Sequence, residues 1–65
     1  MPQPPKVSQI LRLLKDDCWA LKSQRGSHRQ FAHPIKPGKV TINGKSSAHP
    51  SRANWESIQK QAGWK

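Results

Sequence analysis

The sequence predicts an α+β domain in which a helix, a three-stranded antiparallel sheet and a second helix follow in order. Three observations support this prediction. Apolar residues near the amino terminus recur with helical spacing, three short segments separated by turn residues come next, and a second helical pattern closes on a glycine. Neither amphipathic helix can bury its apolar side alone, so we expect both on one face of the sheet, with the other face open to solvent and ligand.

The first helix is predicted over about residues 8–16, with Ser8 as its N-cap. Its apolar side is formed by residues at i, i+3, i+4 and i+7 spacing: Val7, Ile10, Leu11 and Leu14. Asp16 and Asp17 end the helix. Because acids at a helix C-terminus oppose the helix dipole, we expect this end to be weak.

Three strands are predicted, over residues 19–24, 28–33 and 39–43. In the first, alternation directs Trp19 and Leu21 to one face and Lys22 and Gln24 to the other. The other two strands carry the apolar residues that we expect to face the core: Phe31, Val40 and Ile42.

Glycine and proline mark the connections between these elements. Arg25-Gly26 is predicted as a tight hairpin turn, since glycine adopts a positive φ without steric cost. Two prolines and a glycine make residues 33–38 a loop. Residues 44–53 form a long polar loop, and a loop of that length is itself a mild indication of function.

The second helix is predicted to begin at an Asn54 cap. Trp55, Ile58 and Ala62 share one of its faces. Gly63 has the position of a C′ residue, and Trp64 is expected to fold back on Ile58 in a Schellman-type contact.

Composition points to an anionic partner. Twelve lysines and arginines stand against three acids, giving a formal net charge of +9. Such an excess favours phosphate-backbone binding, which counterion release makes strong and salt-dependent, and it could also serve docking on an acidic protein. A membrane surface is disfavoured, because the chain has neither an apolar anchor nor a long amphipathic helix.

The chain is expected to form one domain over residues 7–65, preceded by a proline-rich, disordered tail over residues 1–6. No apolar run approaches the roughly 20 residues of a membrane span, and no signal peptide is recognisable. Cys18 is the single cysteine, so no internal disulfide is possible and a cytoplasmic location is expected.

The run Q-R-G-S-H-R-Q-F contains the candidate catalytic residues. It places His28 beside the turn residue Gly26 and between Arg25 and Arg29. Histidine exchanges a proton near neutral pH and arginine holds phosphate oxygens, and RNA cleavage by attack of its own 2′-hydroxyl requires both abilities. On these residues His28 is a candidate catalytic acid or base, and five residues are candidates for contacts with RNA phosphates: Lys22, Arg25, Ser27, Arg29 and Lys45.

Other interpretations of these residues remain open. Gly26-Ser27 can be only a hairpin turn, with His28 an ordinary surface residue. A metal site drawn from Cys18 and the histidines is disfavoured, because no pair has zinc-ligand spacing and the chain is strongly basic. Cys18 is expected to be a small buried side chain and His33, which precedes Pro34, a structural residue. No cofactor is expected.

The remaining aromatic and basic residues allow two roles. The tryptophans could stack on bases, but core packing is the better interpretation for Trp19 and Trp55, while Trp64 is undecided. The lysines around the third strand, which are Lys36, Lys39 and Lys45, are either phosphate contacts or a solvated face.

Three segments of the chain together resemble the HicA (YcfA-like) toxin family of toxin–antitoxin systems: Q-R-G-S-H-R-Q-F-A-H-P, K-P-G-K-V-T-I and S-I-Q-K-Q-A-G-W. The likeness runs from about Val7 to Trp64. The resemblance implies a double-stranded-RNA-binding-domain-like fold and a metal-independent mRNA interferase whose catalytic histidine matches His28. It also implies a HicB-type antitoxin that covers this histidine.

Several positions depart from the family pattern, among them Cys18, Lys45, the segment 46–53, Glu56 and Gln59. A glycine usually precedes the aromatic residue that opens the first strand, where this chain has Cys18. If that position needs a left-handed conformation, Cys18 costs on the order of 1 kcal/mol. Many members have a second histidine after the third strand, where this chain has Lys45.

The leading hypothesis is a toxin endoribonuclease that acts on single-stranded or structured mRNA. One alternative is a non-catalytic RNA-binding module that uses the same basic face. Another is a small subunit that docks on the ribosome or on a protein. The first would bind RNA with a steep salt dependence but would not cleave it, and the second would have no affinity for isolated RNA.

Overall fold

The computed structural model describes residues 3–65 and has the predicted α+β layout. Helix α1 (Val7–Asp16) is followed by strands β1 (Ala20–Arg25), β2 (His28–Ala32) and β3 (Lys39–Ile42), and then by helix α2 (Arg52–Gln61). The strands form one antiparallel sheet in the order β1-β2-β3. The predicted bounds of α1 and the strands differ from these by one residue, and the start of α2 differs by three.

Both helices pack on the same face of the sheet, as predicted. The core is one cluster of buried residues contributed by α1, the sheet and α2: Val7, Ile10, Leu14, Trp19, Phe31, Val40, Ile42, Ile58 and Ala62. On the opposite side, which we call the open face, the strand residues that alternate with this core are exposed or half-buried. No helix in the described part of the chain is long and apolar enough to cross a membrane.

Helix α1 begins at Val7, and the prediction of Ser8 as its N-cap was wrong. The N-cap is Lys6, whose backbone N–H donates to the Gln9 side chain at 2.8 Å. The first N–H groups of the helix donate to carbonyls of the polar loop, Val7 to Ala48 at 2.9 Å and Ser8 to Ser46 at 3.0 Å. Because the loop accepts these bonds, the helix needs no hydroxyl cap.

Helix α2 begins earlier than predicted. Its N-cap is Ser51, whose hydroxyl oxygen accepts a hydrogen bond from the Asn54 backbone N–H at 3.1 Å. Asn54 is therefore in the first turn of the helix, and its prediction as the cap was wrong. Either residue type can cap a helix, so the sequence alone did not decide between them.

Both helices end in a Schellman motif. In α2, the N–H groups of Gly63 and Trp64 donate to the carbonyls of Lys60 and Gln59, and Gly63 has φ +74°, as the sequence predicted. In α1 the equivalent donors are Cys18 and Trp19, which bond to Lys15 and Leu14. This α1 end, which we expected to be weak, has the same pair of bonds as the α2 end.

Cys18 occupies the left-handed position of the α1 motif, with φ +70°. The condition that we attached to this residue is therefore met, and it adopts a conformation that favours glycine. Its side chain is exposed, so the prediction of a buried cysteine was wrong. Trp19 follows it directly and is only 4% exposed.

Strand β1 contains a β-bulge that the sequence pattern did not predict. Leu21 lies opposite Phe31, but the next paired residue, Ser23, lies opposite Gln30, so Lys22 is an extra residue in the ladder. A bulge of this kind reverses the alternation of the residues that follow it. Ser23 therefore shares the open face with Gln30.

The bulge changes the faces predicted for the residues of the first strand that follow it. Trp19 is buried in the core just before β1, and Leu21, which lies before the bulge and opposite Phe31, is on the same helix side of the sheet, as predicted, although it is 50% exposed. Gln24 pairs with Arg29 and Arg25 pairs with His28. Gln24 therefore lies on the helix side of the sheet, and Arg25 lies on the open face.

Residues 1 and 2 of the predicted disordered tail lie outside the described residues. Within residues 3–6, the Pro4 carbonyl oxygen lies 2.7 Å from Nδ1 of His49. Because a carbonyl can only accept, this nitrogen carries the proton. This contact joins the start of the described chain to the polar loop.

Candidate active site

The turn between β1 and β2 positions the predicted catalytic histidine. Its two loop residues are Gly26 and Ser27, one position later than predicted, and they are flanked by the paired residues Arg25 and His28. Gly26 has φ +60° and Ser27 has a negative φ, the pattern of a type II′ turn with glycine in the first loop position. A side chain at Gly26 would meet no atom within 4 Å, so the turn conformation, and not space, requires the glycine.

His28 and Arg25 lie side by side on the open face. Phe31 is buried in the core, and because side chains alternate along β2, Gln30 and His28 lie on the opposite side of the sheet. Arg25 is directly across from His28, and residues directly across a ladder share a face. Arg25 and His28 therefore form the cation and imidazole pair that the sequence predicted.

A surface depression of about 710 Å³ surrounds this pair. Its lining consists of residues from both strands of the hairpin: Ser23, Gln24, Arg25, His28 and Gln30. None of the three acids of the chain is among them. A depression that holds a guanidinium and no carboxylate suits an anion such as a phosphodiester.

The His28 side chain is exposed, and within residues 3–65 its ring nitrogens have no hydrogen-bond partner. An imidazole in this state can accept a proton at one nitrogen or donate one at the other. The neighbouring guanidinium can hold a phosphate oxygen at the same time. The pair can therefore combine proton transfer with phosphate binding.

Arg29 does not join this pair, although it adjoins His28 in the sequence. It lies across from Ile42, a buried core residue, so its side chain lies on the helix side of the sheet. Its Nη1 donates to the Gly44 carbonyl at 3.1 Å, with a longer contact of 3.4 Å to the Ser27 carbonyl. Arg29 thus connects the His28 turn to the loop that follows β3.

The other three predicted phosphate contacts lie around these two features. Lys22 is the exposed bulge residue of β1, and Ser27 is exposed in the turn. Lys45 is exposed and follows Gly44, the residue whose carbonyl accepts from Arg29. None of the three lines the depression around His28, so the structure brings together only Arg25 and His28 of the predicted site.

A second polar cluster, which the sequence did not predict, is centred on Asp17. Its Oδ2 accepts three hydrogen bonds, from Lys36 Nζ at 2.7 Å and from the indole N–H groups of Trp19 and Trp64, each at 3.0 Å. These contacts, the lysine foremost, lower the pKa of Asp17 from its ordinary value of 3.8 to about 2. Two of the donors are far away in the sequence, so no local pattern could have indicated the cluster.

Lys36 makes two hydrogen bonds within this cluster. Besides its ion pair with Asp17, its ammonium group donates to the Ala62 carbonyl at the end of α2, at 3.1 Å. The alternative of Lys36 as a phosphate contact is therefore not supported. Lys39 and Lys45 remain exposed.

His33 belongs to the same region and is structural, as predicted. Its Nδ1 accepts from the backbone N–H groups of Ile35 and Lys36, at 3.0 and 2.9 Å. Nε2 must then carry the proton, and it donates to the Asp17 carbonyl at 2.7 Å. The ring also packs edge-on against Trp19, with centroids 5.1 Å apart.

Within residues 3–65, no three His, Cys, Asp or Glu side chains are grouped so that they could hold a metal ion. Another acid, Glu56, binds Lys65 at 3.1 Å on the outer side of α2, and this contact lowers the pKa of Glu56. Trp55 and Trp64 both pack against the core, with ring centroids 6.3 Å apart. Core packing is therefore the role of Trp55, as predicted, and also of Trp64.

Comparison with known proteins gives one result. A family model described as "HicA toxin of bacterial toxin-antitoxin" matches residues 7–64, from the first residue of α1 to the tryptophan that closes the α2 motif. No curated protein sequence matches the chain significantly. The match covers all five elements and the His28 turn, and so the chain belongs to the HicA toxin family of bacterial toxin–antitoxin systems.

Proposed function

We propose that this HicA-family toxin is a metal-independent endoribonuclease that cleaves mRNA, with His28 as its catalytic acid or base. The observation that carries the proposal is the pairing of His28 with Arg25 across a two-residue turn on the open face. The toxin family gives the biological setting, since a nuclease that destroys mRNA is toxic to the cell that makes it. We infer that it acts in the cytoplasm, where mRNA is found.

In the proposed reaction the 2′-oxygen of one ribose attacks the adjoining phosphorus. The bond between O2′ and phosphorus forms, and the bond between phosphorus and O5′ of the next nucleotide breaks. A 2′,3′-cyclic phosphate and a 5′-hydroxyl result. His28 either takes the 2′-hydroxyl proton or gives a proton to O5′, and a water molecule performs the other of these two proton transfers. Arg25 binds the non-bridging oxygens, whose negative charge grows in the transition state.

The reaction needs no metal ion because of the nucleophile that it uses. A 2′-hydroxyl held beside its own phosphorus is already in position, so the enzyme supplies only proton transfer and a cation. A single histidine is expected to contribute about 10²- to 10⁴-fold to the rate. Lys22 and Lys45, both exposed, are proposed to guide the RNA backbone toward the depression and not to touch the reacting phosphate.

The test compares the wild type with His28→Ala, and uses His49→Ala as the matched control. Each is expressed in a host without the antitoxin, and cleavage of a labelled mRNA is followed with purified protein in EDTA. We expect growth arrest and cleavage for the wild type and His49→Ala, and loss of both for His28→Ala. Intact mRNA with the folded wild-type protein would contradict the proposal.

A non-catalytic RNA-binding module remains the alternative function. One observation favours it: within residues 3–65, the depression contains a single imidazole and no second acid–base side chain. In that case His28→Ala would leave RNA affinity almost unchanged, and the wild type would bind RNA without turnover. Affinity and cleavage measured on the same RNA decide between the two functions.

A further inference from the structure

A polar groove lies between the edge of β3 and helix α2, with a volume of about 220 Å³. Most of its lining is neutral and polar, from Thr41, Asn43, Asn54, Ser57 and Gln61. Pro50 and Ile58 add apolar surface. We refer to it as the β3–α2 groove. None of its lining residues was among the site residues that the sequence predicted.

The groove adjoins the proposed catalytic site through Asn43. Arg29 and Ile42 are the last residues paired between β2 and β3, and at that end of the sheet His28 precedes Arg29 while Asn43 follows Ile42. Arg25 lies across from His28 on the other side. Arg25, His28 and Asn43 therefore all lie at the same end of the sheet. Thr41, which pairs with Gln30 of the open face, continues the polar surface along β3.

The chemistry of the groove suits a nucleobase and not a phosphate. Its lining contains no charged side chain, so the phosphate is drawn to Arg25. An amide side chain offers donors and an acceptor together, the combination by which proteins contact base edges. The apolar part supplies a surface for the flat ring.

The two asparagines are the groups available for such contacts. Gln61 already accepts from the Thr41 N–H at 3.1 Å and donates to Ser57 at 3.0 Å. Within residues 3–65, the side-chain amides of Asn43 and Asn54 make no hydrogen bond. Asn43 directly follows β3 at the end of the sheet where His28 lies, and Asn54 contributes to the groove from the first turn of α2.

We propose that the β3–α2 groove binds one base of single-stranded RNA, that of a nucleotide next to the cleaved phosphate, through Asn43 and Asn54. The proposal rests on the proposed nuclease function, because it is His28 that locates the phosphate beside the groove. Single-stranded RNA is required, since a paired base keeps its edge in the helix and cannot turn out into a groove. The groove would then determine the base at which the toxin cuts.

The test measures binding, not cleavage. The His28→Ala variant is titrated with the four hexamers r(A)6, r(C)6, r(G)6 and r(U)6, and the asparagine side-chain NH₂ signals are followed by NMR. We expect one hexamer to bind about fivefold or more tightly than the weakest and to shift the Asn43 and Asn54 signals. Adding Asn43→Ala or Asn54→Ala is expected to bring the four affinities to within about twofold of one another.

Gln59→Ala is the matched control, because Gln59 is an amide of the same helix that does not line the groove, and the preference should survive this change. Equal affinities for all four hexamers, or a preference that persists in both asparagine variants, would overturn the proposal. Failure of the nuclease function would look different, with base-selective binding retained and no cleavage by the wild type. The same RNAs in duplex form should leave the asparagine signals unmoved, and a shift there would also count against the groove.

Discussion

The Asp17 carboxylate and the Trp64 indole are 47 residues apart in the chain and are joined by a hydrogen bond of 3.0 Å. Asp17 caps the end of α1, and Trp64 follows the end of α2, so this bond connects the C-termini of the two helices. Lys36, from the loop between β2 and β3, completes the connection through Asp17 and the Ala62 carbonyl. In a chain of 65 residues with a small core, this cluster joins the ends of both helices to the loop between β2 and β3.

The first prediction concerns the pH dependence of stability. Lys36 and the two indoles stabilise the charged form of Asp17 and lower its pKa from 3.8 to about 2. A carboxyl group whose pKa is lower in the folded state contributes stability that is complete above its unfolded pKa and is lost as the pH falls through the folded value. The melting temperature should therefore decrease between about pH 4 and pH 2, and less so in Asp17→Asn.

Thermal unfolding at pH 5, 4, 3 and 2.5, followed by circular dichroism, measures this difference. Glu56→Gln is the control, because the Glu56–Lys65 pair is about half exposed and a surface pair of that kind contributes little. If Asp17→Asn and the wild type lost stability in parallel over this pH range, the Asp17 cluster would not be the cause.

The second prediction is that Cys18→Gly stabilises the protein. Cys18 has φ +70° at the α1 motif, where glycine would have no strain. The gain should be about 1 kcal/mol, or about 4–8 °C in Tm for a domain of this size. Cys18→Ala keeps the Cβ atom and should gain nothing. An equal Tm for the glycine and alanine variants would show that the backbone conformation is not the source of the cost.

The converse substitution, from glycine to a residue with a Cβ atom, can be made at Gly63. It has φ +74° in the α2 motif, and a Cβ there would meet Lys36 atoms no closer than 3.8 Å, which is ordinary contact. Gly63→Ala should therefore lower the stability by about 1 kcal/mol through conformation alone. Chemical denaturation of Cys18→Gly and Gly63→Ala, each beside the wild type, gives the change in free energy of unfolding at the two helix ends.

The third prediction separates the two arginines that flank His28. Arg25→Gln should weaken RNA binding and reduce the slope of log K against log salt by about 0.7, since one phosphate contact is lost. Arg29→Gln should leave affinity and salt slope unchanged and lower kcat about tenfold or more, because Arg29 holds the turn and not the RNA. Arg29→Lys should restore part of kcat. A salt slope that falls equally in both variants would assign Arg29 to the phosphate.

The order of elements was predictable because each depends on local patterns. Helical spacing in α1, the glycine at the hairpin and Gly63 at the end of α2 are all properties of short segments. The helix starts were less predictable, since the first N–H groups of α1 donate to carbonyls of a loop about 40 residues away. Caps supplied by tertiary contacts leave no local signal.

The candidate site was predictable only in part, and the reason is the bulge at Lys22. Strict alternation assigns Arg25 to the core side, and a single extra residue in β1 moves it to the open face beside His28. Arg29 shows the reverse case. It flanks the histidine in sequence, but its place in β2 directs it to the helix side, so adjacency in sequence was a poor guide to adjacency in space.

The fourth prediction concerns the antitoxin, which we propose to be an acidic HicB-type protein that covers His28. Arg25 and Lys22 are exposed, and none of the toxin's acids lines the depression, so opposite charges should speed the encounter. The association rate should fall about tenfold or more between low and physiological salt, while dissociation changes less. RNA should compete with the antitoxin, because one surface cannot hold both. A ternary complex in which His28 still reacts with diethyl pyrocarbonate would reject inhibition by occlusion.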